Sequence, residues 1–251
     1  MSQMNADSGA GNDLEQAYNV YTEAGLGAFS TADTDAGAAL QYEVNYGHLL
    51  PAARDTRFLD VGCGAGSYLL WLRSRGFERL HGVDLSEVAV SHCHAAGLRD
   101  VEQVRDLTGY LAAHPGEFDV ISLNDVIEHF TQDEMLPTLN ALRQALKPGG
   151  MVLVKTLNMG NIGGLYMRYN DFTHRLGFTE TSMRQVLVAA GFTGIEVVEY
   201  RVPTRSIRGK IWGVVGGAWR DLFGALLLLD VGVDRPRVRS KTLLAVARTR
   251  A

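Results

Sequence analysis

The sequence predicts an α/β fold: a mostly parallel sheet with helices on both faces. Three observations carry that prediction. Short apolar runs recur along the chain, stretches with apolar residues at helical spacing separate them, and glycine-rich turns join the two. With 251 residues, 46% of them hydrophobic, the chain is long enough to bury one sizeable core, and a single domain is expected.

A helical pattern over Ala38 to Leu50 precedes the first strand, and its Tyr42 or Tyr46 is placed either to cover a ligand as a lid or to pack on the sheet edge. Arg57 to Val61 reads as a short buried strand that ends in glycines. The helix GSYLLWLRSRG follows and stops at Gly76. RLHGVDL, VEQVRDL, FDVISLN and MVLVKTL are the next buried strands, with helices beginning near Ser86, Thr108 and Thr131 between them. After Leu157 the pattern predicts a Gly/Asn/Tyr-rich loop as far as His174. A helix over FTETSMRQVLVAAGF follows, capped by Thr179 or Thr181, and then a strand over IEVVEYRV. The apolar stretch from Ile211 to Val233 is interrupted by Arg220 and Asp221 and weakened by paired glycines, so it reads as a helical insertion rather than a membrane span. SKTLLAVART returns as the last strand. The expected division is a tail and helical cap over 1–54, a core over 55–202, the insertion over 203–239 and the final strand over 240–251.

The formal charge of −4 is unevenly spread: from Arg201 onward the chain carries 11 Lys and Arg against 3 Asp and Glu. That basic part suits an anionic small molecule, contact with an anionic membrane surface, or simply a solvated face. Net acidity speaks against long nucleic acid as a partner. The apolar insertion is equally suited to packing on a second subunit, so a homodimer is a further expectation. Cys63 and Cys93 show no disulfide framework or zinc-ligand spacing, and the polar, Gly-rich start has no signal-peptide pattern; both point to a cytoplasmic protein.

The segment FLDVGCGAGSY carries the most chemistry. Asp60 ends a strand, and Gly62, Gly64 and Gly66 turn the chain into a helix whose first N–H groups are unpaired, as close approach to a ligand requires. The spacing is G-x-G-x-G, distinct from the G-x-G-x-x-G that dinucleotide sites use. Asp84 closes the second strand, where a carboxylate can accept from both hydroxyls of a ribose, and Asp106 closes the third, where it can accept from an adenine amino group. Taken singly, either aspartate fits a helix cap or turn equally well.

With these residues, the strand end FDVISLNDVIEHF and the turn LKPGG, the sequence resembles class I S-adenosylmethionine-dependent methyltransferases from Arg57 to Val202 and again near Lys241 to Thr249. The resemblance implies a Rossmann-like sheet of seven strands. It implies that Gly62, Cys63 and Gly64 line the methionine portion of the cofactor, Asp84 the ribose and Asp106 the adenine, with Asp60, Gly66, Leu85 and Leu107 also binding the cofactor and Asn124 at the mouth of the transfer site. A nicotinamide oxidoreductase and a non-catalytic cofactor-binding scaffold are the alternatives.

Methyl transfer needs a base only where the acceptor must lose a proton. Asp125, Glu128 and His129 in NDVIEHF are the catalytic candidates; His129 suits a general base, and Glu128 with His129 equally suits bracing of the next helix. D-x-x-E-H with the later His174 also resembles the divalent-metal site of methyltransferases acting on RNA 3′ ends or catechol-type quinone precursors, with Asp125 one methylene shorter than the family's glutamate. The expectation is therefore a metal on Asp125, Glu128, His129 and His174, or a hydrogen-bond network in its place. The segment from Tyr169 resembles methyltransferases of glycan and natural-product pathways, which would turn Tyr166, Arg168, Tyr169 and His174 toward a small-molecule or glycan acceptor.

Overall fold

The computed structural model describes Val20 and residues 34–203, 207–231 and 236–250. Val20 apart, the expected tail before residue 34 lies outside the described residues, as do parts of the insertion.

Seven strands form one sheet in the order β3-β2-β1-β4-β5-β7-β6. They are β1 (Phe58–Val61), β2 (Leu80–Asp84), β3 (Val101–Gln103), β4 (Phe118–Asn124), β5 (Leu146–Leu157), β6 (Thr193–Glu199) and β7 (Thr242–Arg248). The strands from β3 to β5 pair in parallel, while β7 runs antiparallel between β5 and β6. The order reverses at β1, with β2 on one side and β4 on the other. A crevice at the carboxyl ends of such strands is where open α/β sheets take ligands.

Strand alternation sends one set of side chains to each face. Leu59, Val61, Ile121, Leu123, Val152 and Val154 pack with Leu139 and Leu142 of α5 (Gln132–Ala145) and Met183 and Leu187 of α7 (Glu180–Ala189). Phe58, Val120, Met151 and Leu153 pack on the other face with Tyr46 of α1 (Thr34–Tyr46), and with Leu69 and Leu72 of α2 (Ser67–Ser74). Helices α3 (Glu87–Ala95) and α4 (Leu107–Ala113) complete the cover.

The helix starts follow capping chemistry. Ser86 accepts from the Ala89 N–H, and Thr131 and Glu134 form a reciprocal capping box. Thr179, rather than Thr181, caps α7. Two expectations are corrected. The third strand ends at Gln103, because Asp106 accepts from the Gly109 N–H and starts α4 instead. The expected loop before His174 contains α6 (Ile162–Asn170), capped by Asn161. There Gly164 lets the helix lie against the Asn158 carbonyl, which a Cβ would approach to 1.9 Å.

The insertion is α8 (Ile207–Val231). Its apolar residues turn outward: Ile207, Ile211, Val214, Trp219, Leu222 and Leu229 are exposed, whereas Gly224 is buried. Among the described residues, no helix is long and apolar enough to cross a membrane.

The turn after β1 needs its glycines for two reasons. Gly62, Gly64 and Gly66 have φ of 65°, 54° and 81°, a region costly for any residue with a Cβ. A Cβ on Gly66 would also sit 2.4 Å from Leu98 Cδ1 and 2.9 Å from Cys93 Sγ. Gly66→Ala is therefore expected to lose on the order of 2–3 kcal/mol, combining left-handed strain with overpacking; a denaturant midpoint within error of wild type would refute this account of the turn.

Candidate functional site

At the carboxyl end of β1 lies a buried carboxylate, Asp60. Its Oδ1 accepts from the Ser122 hydroxyl at 2.7 Å and from Asn124 Nδ2 at 3.3 Å, both on β4. Asn124 Oδ1 in turn accepts from the Tyr46 hydroxyl at 2.5 Å, so α1 is tied across the strand ends. Burial, tempered by these two hydrogen bonds, pushes the Asp60 carboxyl up to about 7. Tyr68 packs edge-on against Tyr42 and Tyr46, and its hydroxyl is buried with no hydrogen-bond partner.

The glycine turn and the end of β2 are linked directly. Gly64 N–H donates to Asp84 Oδ2 at 2.8 Å, and Ser86 N–H donates to Asp84 Oδ1 at 2.9 Å. Burial raises the Asp84 carboxyl despite these donors. Each oxygen keeps acceptor capacity for a further donor. Gln103 Nε2 fixes the Leu85 carbonyl at 3.0 Å. Asp106 is exposed and its Oδ1 accepts from the Gly109 N–H, and Leu107 begins the helix beside it. Cys63 and Cys93 are both buried thiols, and Cys93 donates to the Gly64 carbonyl at 3.1 Å. The neighbouring Cys93 thiol and burial push the Cys63 thiol far up.

The D-x-x-E-H residues do not converge. Asp125 is half exposed and pairs with Lys155 on β5. Glu128 is fully buried, and its Oε2 accepts from the Thr156 hydroxyl at 2.7 Å while Oε1 has no partner. Burial, with the nearby Asp125 charge, pushes the Glu128 carboxyl up to about 8. His129 and His174 lie 4.8 Å apart between ring centroids. Among the described residues, no group of three or more His, Cys, Asp and Glu is placed to hold a metal ion. The expected metal set of Asp125, Glu128, His129 and His174 is thus corrected to separate hydrogen-bond networks, because the two carboxylates turn to different partners.

The histidine network fixes tautomers. Thr173 Oγ1 donates to Asp171 Oδ1 at 2.7 Å, and its one proton is thereby used. Thr173 Oγ1 must then accept from His129 Nδ1, 3.0 Å away, which places the His129 lone pair on Nε2. Burial and the neighbouring His174 push His129 down to about 4, so it is neutral near pH 7. His174 Nδ1 donates to the Met167 carbonyl at 3.0 Å. Tyr166 and Tyr169 stand exposed on α6, while Arg168 donates to the Arg175 carbonyl at 2.7 Å and lies over the Tyr169 ring. The arginine therefore holds its own loop.

Sequence reasoning missed Lys155 and Tyr200. A signal for the lysine existed: in MVLVKTL it is in phase with Met151 and Leu153, and β5 register pairs it with Asn124. Its ammonium lies 5.0 Å from the Tyr200 ring centroid.

The family shows in the comparison with family models. A family model described as a methyltransferase domain matches residues 36–197. A ubiquinone biosynthesis O-methyltransferase of Azoarcus sp. is 38% identical over 106 residues, covering 41% of this chain and 44% of that protein. One of the same description from Idiomarina loihiensis is 33% identical over 133 residues, covering 51% and 53%. The chain thus spans about half the length of these relatives. Among solved structures, a SAM-dependent methyltransferase from Archaeoglobus fulgidus superposes with a TM-score of 0.63 at 17% identity, covering 86% of this chain and 97% of that one. The 1,6-didemethyltoxoflavin-N1-methyltransferase of Burkholderia thailandensis, with its substrate and S-adenosylhomocysteine bound, gives 0.61 at 18% identity, covering 100% and 93%. These two establish the fold alone.

A raised carboxyl favours the folded state most when protonated, so the stability it supports is lost as pH rises through the folded value. Glu128→Gln keeps an acceptor for Thr156 and removes that titration. The variant is expected to match wild type near pH 4 and to gain on the order of 1–3 kcal/mol over it by pH 8–9, the cost of a buried unpaired group. A stability difference that does not vary with pH would show that Glu128 carries no such burden.

Proposed function

Because the chain belongs to the methyltransferase-domain family, we propose that it is a single-domain enzyme that transfers a methyl group from S-adenosylmethionine to an oxygen of a small-molecule acceptor. The observation that supports this reading is the bond from the Gly64 N–H to the Asp84 carboxylate, a group able to accept from ribose hydroxyls directly beside the glycine turn. The residues present suit such a cofactor. The unpartnered Tyr68 hydroxyl and the Asp60 network offer polar groups to a methionine portion, next to the backbone of Gly62, Cys63, Gly64 and Gly66. Asp84 and Leu85 would receive the ribose, Asp106 and Leu107 the adenine, and Asn124 would face the transfer site. A nicotinamide reading has no comparable support.

The cofactor supplies a methyl group on a positively charged sulfur, ready for in-line displacement. The chain's own contribution is orientation and proton handling. α1 closes over the strand ends through Tyr46 and excludes water. His129, held by the Thr173–Asp171 relay with its lone pair on Nε2, is the proposed general base. Glu128 acts indirectly, as a buried brace joined to β5 through Thr156. Tyr166, Tyr169 and His174 would border the acceptor. The O-methyltransferase relatives support oxygen as the acceptor atom.

Calorimetric titration of S-adenosylhomocysteine tests the cofactor site. Wild type is expected to bind, and Asp84→Asn to bind on the order of 10- to 100-fold more weakly, the loss of one or two charge-assisted hydrogen bonds. Wild-type protein that takes NAD and ignores S-adenosylhomocysteine would defeat the reading.

The outward apolar face of α8, set in the basic part of the chain, further supports peripheral contact with an anionic membrane surface; a second copy of the chain is the other cover it suits. Cosedimentation with phosphatidylserine vesicles at low salt is expected, weakening on Leu222→Glu. Protein that stays in the supernatant would remove the membrane contact.

A further inference from the structure

Residues 236–240, just before β7, read PRVRS. Val238 is buried in the core, so Arg237 and Arg239 on either side of it turn outward. Side chains from elsewhere hold this backbone in place. Asn158 Nδ2, past the end of β5, donates to the Val238 and Ser240 carbonyls at 2.9 and 2.7 Å, and Asn161 Nδ2 donates to the Arg239 carbonyl at 2.5 Å. Glu180 and Glu199 accept from the Val238 and Arg239 N–H groups at 3.2 and 2.9 Å. Those two carboxylates serve the backbone here, and the arginine side chains are carried on a fixed frame.

α8 supplies the opposite wall. Residues three and four apart share a helix face. Arg220, Phe223 and Gly224 lie toward Pro236 and Arg239, while Leu222, Leu226 and Leu229 are exposed on another side. Between helix and segment is a cavity of about 200 Å³ lined by Arg220, Asp221, Gly224, Pro236, Arg237 and Arg239. The Arg220 guanidinium lies back over the paired glycines of the helix, where a Cβ on Gly216 or Gly217 would sit 3.4 Å from its Nη1 or 3.8 Å from its Nη2.

Charge decides what such a cavity takes. Asp221 pairs with Arg239, but their side chains are 59% and 47% exposed, and solvent screening makes such a pair weak. Among the described residues, neither Arg220 nor Arg237 is paired with a carboxylate. Three guanidiniums against one carboxylate leave two positive charges uncompensated, and a guanidinium cannot shed its charge by losing a proton. A carboxylate ligand would neutralise one of them. A phosphate monoester, at about −1.5 to −2 near pH 7, neutralises both, and its oxygens match the planar N–H forks of arginine two at a time. The volume suits an anionic group rather than a whole drug-sized ligand, for which ~300–1,000 Å³ is usual.

We propose that Arg220, Arg237 and Arg239 form a phosphate-binding site for a soluble phosphate monoester or diphosphate, with Asp221 yielding Arg239 as the ligand enters. The site goes beyond methyl transfer and shares no residue with the proposed cofactor site. A lipid headgroup offers the same phosphate chemistry, but the exposed leucines of α8 that would enter a bilayer lie on a different side of the helix from Arg220.

Calorimetric titration of inorganic pyrophosphate into the full chain at constant ionic strength tests the site. Wild type is expected to bind it saturably. Arg220→Gln and Arg237→Gln are each expected to weaken binding on the order of 10-fold, the loss of one charge-assisted hydrogen bond, and Arg220→Lys to recover only part of that. Asp221→Asn removes the competing anion and should tighten binding several-fold. Arg208→Gln takes the same charge from an exposed position on α8 outside the cavity and should leave the affinity unchanged. No saturable binding by wild type, equal weakening by Arg208→Gln, or equal or weaker binding by Asp221→Asn overturns the proposal. Wild type that ignores pyrophosphate yet sediments with phosphatidic acid vesicles, in a manner that depends on Arg220 and Arg237, overturns it in favour of a lipid headgroup. S-adenosylhomocysteine affinity should be the same in every variant; folded arginine variants that lose it would place the cavity within the cofactor site and overturn a separate one. Wild type that binds pyrophosphate but no S-adenosylhomocysteine leaves the phosphate site standing and defeats the methyltransferase reading alone.

Discussion

Asp60 is a carboxylate placed where a carboxylate is expensive, at the buried end of the central strand, and much of the site is arranged around that cost. Ser122 and Asn124 come from β4, and Tyr46 reaches the same chain of bonds from α1 through Asn124. Three separate parts of the sequence are thereby held to one point. A buried polar network of this kind favours one geometry when each member is satisfied and is costly when a member is lost. The Tyr68 hydroxyl is the exception, a buried donor without an acceptor at the place where a ligand's polar groups would fit.

Charge is distributed by the same logic. Asp60 and Glu128 are pushed toward their neutral forms by burial, and His129 is pushed toward neutral imidazole by burial and His174. Lys155 goes the other way because Asp125 sits against it, as does Asp171, whose carboxylate the Thr173 hydroxyl and N–H favour. The result is a site with little free charge of its own facing a cofactor that would bring a positive sulfur. In a low-dielectric crevice a single fixed cation acts more strongly on an incoming anion than it would in water.

The fold was legible because buried parallel strands read as unbroken apolar runs, and glycines punctuate them at the turns. Each of the seven runs became a strand, and the helix starts at Ser86, Thr131 and Thr179 followed from side chains that accept from nearby N–H groups. The third strand was overextended because Asp106 reads equally well as a strand end or as a helix cap, and only the Gly109 N–H decides between them. α6 was missed for a tertiary reason. Its Gly163 and Gly164 look like loop residues, yet Gly164 is there so that the helix can lie against the Asn158 carbonyl. The metal set was misjudged because spacing along the chain says nothing about rotation after a strand end. The left-handed backbone at Asp125 and the short helical turn over Ile127–His129 send the carboxylates to Lys155 and Thr156.

The two nitrogen-bearing groups beside the strand ends, His129 and Lys155, answer to different constraints. A neutral histidine pushed down to about 4 is a weak base, poorly matched to an aliphatic alcohol and adequate only where the acceptor gives up its proton readily. A lysine held in its charged form cannot remove a proton at all, but it lowers the cost of one already lost. An acceptor of ordinary alcohol acidity would be served by neither.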